Sequence, residues 1–192
     1  MTLALAHHEA GHAVIAIACQ LPIALVTIEP GVDGSSGHVE IRGAAATNKP
    51  PVLPAHLQVR VSLCLMAWAC SGELAEQIGA FSGIGSSGDE ENIEQAAQAI
   101  EEATGARPPL LPVYAVTSCY LKDHWEAVER LALTLIKERT ISGERAREIV
   151  GELPTLNLDR PLAALDYAVR RAASKGPHAE RRSRRIVVGG NR

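Results

Sequence analysis

The sequence predicts a mainly α fold with a small β-hairpin, built as one compact domain. Most of the 192 residues lie in long segments with helical spacing of apolar residues, whereas strand-like alternation is confined to two short segments near the amino terminus. Apolar residues make up 46% of the chain, which at this length is enough to bury a core. Aromatic residues make up only 3%, so we expect that core to consist of Ala, Leu, Ile and Val.

The first predicted elements are a helix and a hairpin. Residues 3–20 are apolar on most faces, which predicts a buried helix that ends before Pro22. Residues 24–29 and 38–42 alternate with period two and flank the turn-rich segment GVDGSSG. This pattern predicts two antiparallel strands joined as a β-hairpin.

The middle of the chain predicts two further helices. A proline-containing loop at 43–54 precedes residues 55–78, which predict a long buried helix. The glycine-rich residues 79–88 are not expected to form regular structure. Apolar residues at helical spacing resume at Ile93, so Asp89 is predicted at or just before the start of the next helix.

Three helical segments are predicted after Pro112. Residues 113–139 form one long amphipathic pattern. Ser142 is a candidate N-cap for a short helix that ends at residue 150. Residues 160–173 predict the last helix.

A basic tail follows the predicted domain of residues 1–173. The formal net charge is −3, but residues 170–192 carry eight Lys and Arg and one acid, which leaves −10 on residues 1–169. Residues 174–192 lack periodicity and are rich in Gly, Ser and Arg, so we expect a disordered extension. Without interleaved aromatic residues or a recognised nucleic-acid fold, this tail does not favour nucleic acid as a partner.

The cysteines and the apolar segments indicate a cytoplasmic protein without membrane association. The cysteines form no CxxC pair, which is typical of reduced, packed thiols and not of a zinc site or a disulfide framework. They are Cys19, Cys64, Cys70 and Cys119. No secretory signal is visible, and the longest apolar runs, at 13–19 and 61–70, are shorter than the roughly 20 residues that span a bilayer.

The motif HEAGH carries the strongest indication of chemistry. It contains His8 and His12, which on a helix project from one face and can bind a single zinc ion through two imidazole nitrogens. Glu9 lies about 100° around the helix from His8, so it flanks the metal and can take a proton from a zinc-bound water. His7 has Gly11 four residues further on, so it lacks a partner ligand and is expected to be exposed or to support the site from outside the ligand set.

Three segments of the sequence resemble, in order and spacing, the zinc peptidase domain of the FtsH-type AAA proteases. HHEAGHAVIAIACQLPIALVTIEP resembles the motif helix and first strand of that family. SGELAEQIGAFSGIGSSGDEENIEQA is similar to its next helix, Gly-small-small-x-Asp loop and following helix, and HWEAVERLALTLIKERTISGERAREIV to its closing helices. The likeness covers residues 4–151 and implies an FtsH peptidase-domain-like zinc metallopeptidase fold.

The resemblance also implies roles for four residues: His8 and His12 as zinc ligands, Glu9 as general base, and Asp89 as the third ligand. A catalytic zinc takes three protein ligands and one open position, and a glycine-rich loop can bring a short carboxylate to it. For Asp89 the alternative is a helix N-cap. Two other candidates remain for the third ligand: Asn92, to which the helix alignment points, and Glu76, which we expect instead to orient a histidine N–H.

The implied function is that of a zinc-dependent endopeptidase acting on flexible or unfolded polypeptides. The sequence has no GxxxxGK[ST] loop and only seven residues before His8, so we expect a stand-alone domain without the ATPase of the family. An ATPase or an oligomer partner acting in trans is an open alternative. By family likeness, the polypeptide substrate would add as a strand to the edge of the small sheet near residues 24–29.

Two other classes of function compete with the peptidase interpretation. One is a non-proteolytic zinc-binding regulatory or adaptor domain, in which zinc is a structural element. The other is a helical interaction module in which HEAGH is ordinary core packing and no zinc binds. A structural zinc site would not need Glu9, so the motif favours the enzyme.

Overall fold

The structure is a computed structural model that describes residues 2–31, 37–42, 53–81 and 87–187, with the backbone alone at 87 and 175–187. Its elements in chain order are α1 (Thr2–Ala18), β1 (Ile23–Thr27), β2 (His38–Ile41), α2 (Ala55–Ile78), α3 (Ser87–Thr104), α4 (Leu110–Asp123), α5 (Trp125–Glu138), β3 (Thr140–Ser142), α6 (Gly143–Val150) and α7 (Asp159–Val187). The fold is mainly α with a small antiparallel sheet, which confirms the predicted class. Most of the predicted loop at 43–54, and residues 82–86 of the glycine-rich segment, lie outside the described residues.

Helix α1 lies at the centre of the fold. It is buried along most of its length and packs against α2, α5 and β1. Gly11 allows its closest approach to α2, because a Cβ at this position would lie 2.6 Å from the carbonyl oxygen of Ser71 and 2.7 Å from the Cβ of Ala75. This crossing places the middle of α2 directly against the face of α1 that carries the HEAGH motif.

The sheet has three strands in the order β2-β1-β3. Strand β1 pairs antiparallel with β2, where Val26 is opposite Val39, and with β3, where Val26 is opposite Ile141. The predicted hairpin is therefore confirmed, but β3 was not predicted, because three residues are too few to show alternation. Since β1 is the central strand, the expected addition of substrate at residues 24–29 is wrong: both sides of that strand are already paired.

The segment predicted as one long helix at 113–139 is two helices. Helix α4 ends at Asp123 and α5 begins at Trp125, with His124 between them at φ −118° and ψ 28°. No Gly or Pro marks this break in the sequence. Helix α4 packs mainly against α2, whereas α5 packs mainly against α1, so tertiary contacts and not local propensity divide the segment.

The last two helices begin close to the positions that the sequence predicts, but α7 is longer than predicted. Ser142 caps α6 as predicted, since its Oγ accepts a hydrogen bond of 3.1 Å from the backbone N–H of Arg145. Helix α7 continues past residue 173, so residues 174–187 are helical where a disordered extension was expected. Four arginines, one alanine and one glutamate in that stretch favour helix, whereas Gly176 and Pro177 disfavour it.

Among the described residues, no helix combines the length and the apolar character needed to cross a bilayer.

Candidate metal centre

Two histidines of α1 and an aspartate of α3 converge on one point. Nε2 of His8 and Nε2 of His12 are 3.0 Å apart, and Oδ2 of Asp89 lies 3.2 Å from the first and 3.3 Å from the second. Zinc–ligand bonds of about 2.1 Å in a tetrahedral site separate neighbouring ligand atoms by roughly 3.4 Å. These three side chains, called the ligand cluster below, could therefore hold one metal ion.

Hydrogen bonds on the far side of each imidazole orient the two histidines. Nδ1 of His8 donates to Oε1 of Glu76 at 2.7 Å, and Nδ1 of His12 donates to the carbonyl oxygen of Trp68 at 2.8 Å. A carboxylate oxygen and a carbonyl oxygen both accept hydrogen bonds, so each Nδ1 carries the donated proton and each ring turns its Nε2 toward the cluster. Two imidazole nitrogens and a carboxylate oxygen at these distances need a cation or a proton between them.

The electrostatics of the cluster favour positive charge. Burial by itself lowers the pKa of His8, but the carboxylates of Asp89, Glu9 and Glu76 outweigh burial and raise that pKa to about 9. For Asp89, burial acts to raise the pKa, yet hydrogen bonds from His12 and His8 hold it below its usual range. A buried site that stabilises the carboxylate of Asp89 and the protonated form of His8 is also suited to a metal cation.

Asp89 supplies the third converging atom from within α3. It is the third residue of that helix, which begins at Ser87, so it lies inside the first turn and not at the N-cap. The dipole of α3 favours a carboxylate at this position. Glu76, the other carboxylate candidate, contacts the opposite nitrogen of His8 and thus lies where a residue that orients this imidazole is expected.

Glu9 lies beside the ligand cluster and is 3% exposed. Its Oε2 accepts no hydrogen bond from the described residues, and a Cβ at Gly37 would lie 2.9 Å from its Oε1, so this carboxylate faces the start of β2. Burial raises the pKa of Glu9, while His12 and His8 oppose the increase. The result is a buried carboxylate, more basic than usual, between the ligand cluster and the sheet.

His7 occupies a different environment from the one expected. It is buried, its Nδ1 donates to the carbonyl oxygen of Leu3 at 2.8 Å, and its ring packs against those of Phe81 and Trp125 at centroid distances of 4.6 and 5.7 Å. Phe81 follows α2 and Trp125 begins α5, and the periodicity of the sequence could not show that these two segments meet at His7. His7 is therefore a packing residue behind the motif.

Gly72 is a component of the site that the sequence analysis did not identify. A Cβ at this position of α2 would lie 2.5 Å from Nε2 of His12 and 2.5 Å from Nε2 of His8. The signal available in the sequence is a glycine inside a long apolar helix, where it weakens the helix and needs a packing reason. Here that reason is space for the two imidazoles.

We expect Gly72→Ala to abolish metal binding without unfolding α2. The added methyl group occupies the space in front of both Nε2 atoms, whereas alanine itself favours helix over glycine by about 1 kcal/mol. Zinc titration and far-ultraviolet circular dichroism of the variant check the two parts of this expectation. Glu73→Ala, at the exposed neighbouring position, is the matched control and should bind zinc normally.

No model of a known protein family matches this chain, and no curated protein matches it.

Proposed function

We propose that this chain is a zinc-dependent endopeptidase that hydrolyses peptide bonds in flexible or unfolded polypeptides. His8, His12 and Asp89 would hold the ion, and Glu9 would act as the general base. The observation that carries the proposal is the position of Glu9: a buried carboxylate with an oxygen that accepts no hydrogen bond from the described residues, directly beside three converging ligand atoms. A purely structural metal site has no use for such a group.

The donor set favours zinc over harder cations. Two imidazole nitrogens and one carboxylate oxygen are typical ligands of catalytic zinc, whereas magnesium and calcium prefer sites made wholly of oxygen. Three protein ligands also leave one coordination position open to a water or a substrate.

Each residue around the cluster has a defined task in this proposal. A bound zinc ion supplies Lewis acidity toward water and toward a carbonyl group. Glu9 accepts a proton from the attacking water and delivers it to the leaving amine, and its burial makes it a stronger base for that step. Glu76 and the carbonyl group of Trp68 hold the imidazoles of His8 and His12 in the ligating orientation.

The sheet supports an extended polypeptide as the substrate. Strand β2 begins immediately after Gly37, which lies against Glu9, and in the described part of the chain no strand pairs with the edge of β2 that faces away from β1. An extended peptide can pair with such an edge through main-chain hydrogen bonds, which place little demand on its sequence. We therefore expect cleavage of unstructured chains and not of dipeptides, which are too short to form a strand.

Elemental analysis of the purified protein, with His12→Ala beside it, tests the proposal. We expect about one zinc per chain in the parent protein and none in the variant, together with cleavage of casein that stops on chelation and returns with zinc. Zinc binding without cleavage would support the regulatory or adaptor domain instead. Absence of zinc after refolding with zinc present would contradict the peptidase assignment.

A further inference from the structure

Two cysteine thiols meet where the end of α1 packs against α2. Cys19 is the first residue after α1, and its Sγ lies 4.0 Å from the carbonyl oxygen of Cys64 in α2. The side chains of the two cysteines also interact with each other electrostatically. Both residues are half-buried.

We propose that Cys19 and Cys64 form a redox-active pair that a peroxide converts into a reversible disulfide. The bond would join the two helices that carry the histidines and their orienting groups. This inference rests on the packing of α1 against α2 and is independent of the proposed peptidase activity.

The surroundings assign different roles to the two thiols. The hydrogen bond from Cys19 and the positive charge of Arg60, one turn earlier on α2, outweigh burial and lower the pKa of Cys64. The same thiol–thiol contact, together with burial, raises the pKa of Cys19. Since the thiolate is the nucleophile, Cys64 is the thiol that reacts first and Cys19 the thiol that resolves it.

The chemistry balances with hydrogen peroxide as the oxidant. The thiolate of Cys64 attacks one peroxide oxygen, the O–O bond breaks, and the second oxygen leaves as hydroxide, which takes up a proton to become water. The sulfur of Cys19 then attacks the sulfenic acid on Cys64, its proton passes to the departing hydroxyl group, and a second water leaves. Two thiols are thus oxidised to one disulfide while one peroxide is reduced to two waters.

The remaining cysteines serve as internal comparisons. Cys70 is buried, donates its S–H to the carbonyl oxygen of Ala67 at 3.4 Å, and has its pKa raised to about 12, mainly by burial. Cys119 is exposed on α4. Among the described residues, neither has a hydrogen-bond contact with another cysteine of the kind that joins Cys19 to Cys64.

A disulfide at this position would restrict movement of α1 relative to α2, the two helices that carry the histidines of the ligand cluster and the groups that orient them. Cys64 lies one turn before Trp68, whose carbonyl oxygen orients His12. Closing a loop between residues 19 and 64 restricts the unfolded chain, so we expect oxidation to raise the Tm by roughly 5–10 °C.

Disulfide mapping of the full chain tests the proposal. The purified protein is treated with hydrogen peroxide, its free thiols are alkylated, and chymotrypsin is used for digestion because Trp68 lies between Cys64 and Cys70. We expect a Cys19–Cys64 linked peptide that disappears on reduction, both in the parent protein and in Cys119→Ser. In Cys19→Ser, oxidation should stop at a sulfenic acid on Cys64, which dimedone captures.

Three results would overturn the proposal. The first is full alkylation of Cys19 and Cys64 after Cys119 has been oxidised. The second is direct oxidation of Cys64 to a sulfinic acid in the parent protein, and the third is a bridge that joins two chains. Because the disulfide is mapped in the parent protein, the outcome does not depend on whether a variant folds.

Discussion

Replacing Glu9 by Gln is expected to lower the kcat/KM for casein cleavage by a factor of about 10²–10⁴ while zinc remains bound. Glutamine has nearly the shape of glutamate but no basic oxygen, so it cannot take a proton from water. Glu9 is not one of the three converging groups, and its Oε2 accepts no hydrogen bond from the described residues, so the substitution should leave the ligand cluster intact. Initial rates measured alongside zinc content separate the loss of the base from the loss of the metal.

Glu129→Gln is the matched control for that experiment. Glu129 is exposed on α5, so the variant carries the same change of charge and should retain full activity. If Glu9→Gln cleaved casein as fast as the parent protein, Glu9 would not be the base. The zinc-binding regulatory or adaptor domain would then be the better interpretation of a zinc-containing chain.

Replacing Asp89 by Ala is expected to reduce zinc affinity by more than roughly 100-fold, whereas Glu76→Ala should reduce it by roughly 10–100-fold. Asp89 places Oδ2 within 3.3 Å of the Nε2 atoms of both histidines, so its removal would delete one of the three proposed bonds to the ion. Glu76 touches only Nδ1 of His8, and its removal loosens the orientation of one imidazole. Competition with a chromophoric zinc chelator measures both affinities.

The stability of the same variants provides a second readout. Zinc that binds only the folded chain raises its Tm, and Asp89→Ala should lose that increase. Glu90→Ala, at the next and exposed residue of α3, removes an equal charge and should keep both the affinity and the increase. A larger loss of affinity in Glu76→Ala than in Asp89→Ala would reverse the assignment of the third ligand.

Much of the fold was predictable because it depends on local periodicity. The bounds of α2, the hairpin of β1 and β2, and the cap at Ser142 all follow from residue patterns within a few positions. The register of the HEAGH motif is local in the same sense, since residues four apart on a helix share a face. This is why His8 and His12 could be paired, and Glu9 set beside them, before any tertiary contact was known.

Contacts between segments that are distant in the sequence determined the features of the site and of the sheet that local patterns could not predict. The approach of Asp89 to the histidines, the hydrogen bond from His8 to Glu76, and the space left by Gly72 all depend on how α2 and α3 pack against α1. Packing also brought the short strand β3 beside β1, so among the described strands β2 and β3, and not residues 24–29, form the two edges of the sheet. The sequence by itself determined which residues share a helix face or a strand, because those relations are set by backbone geometry. Only the tertiary structure decided which faces meet, because that depends on the burial of apolar surface by all elements together.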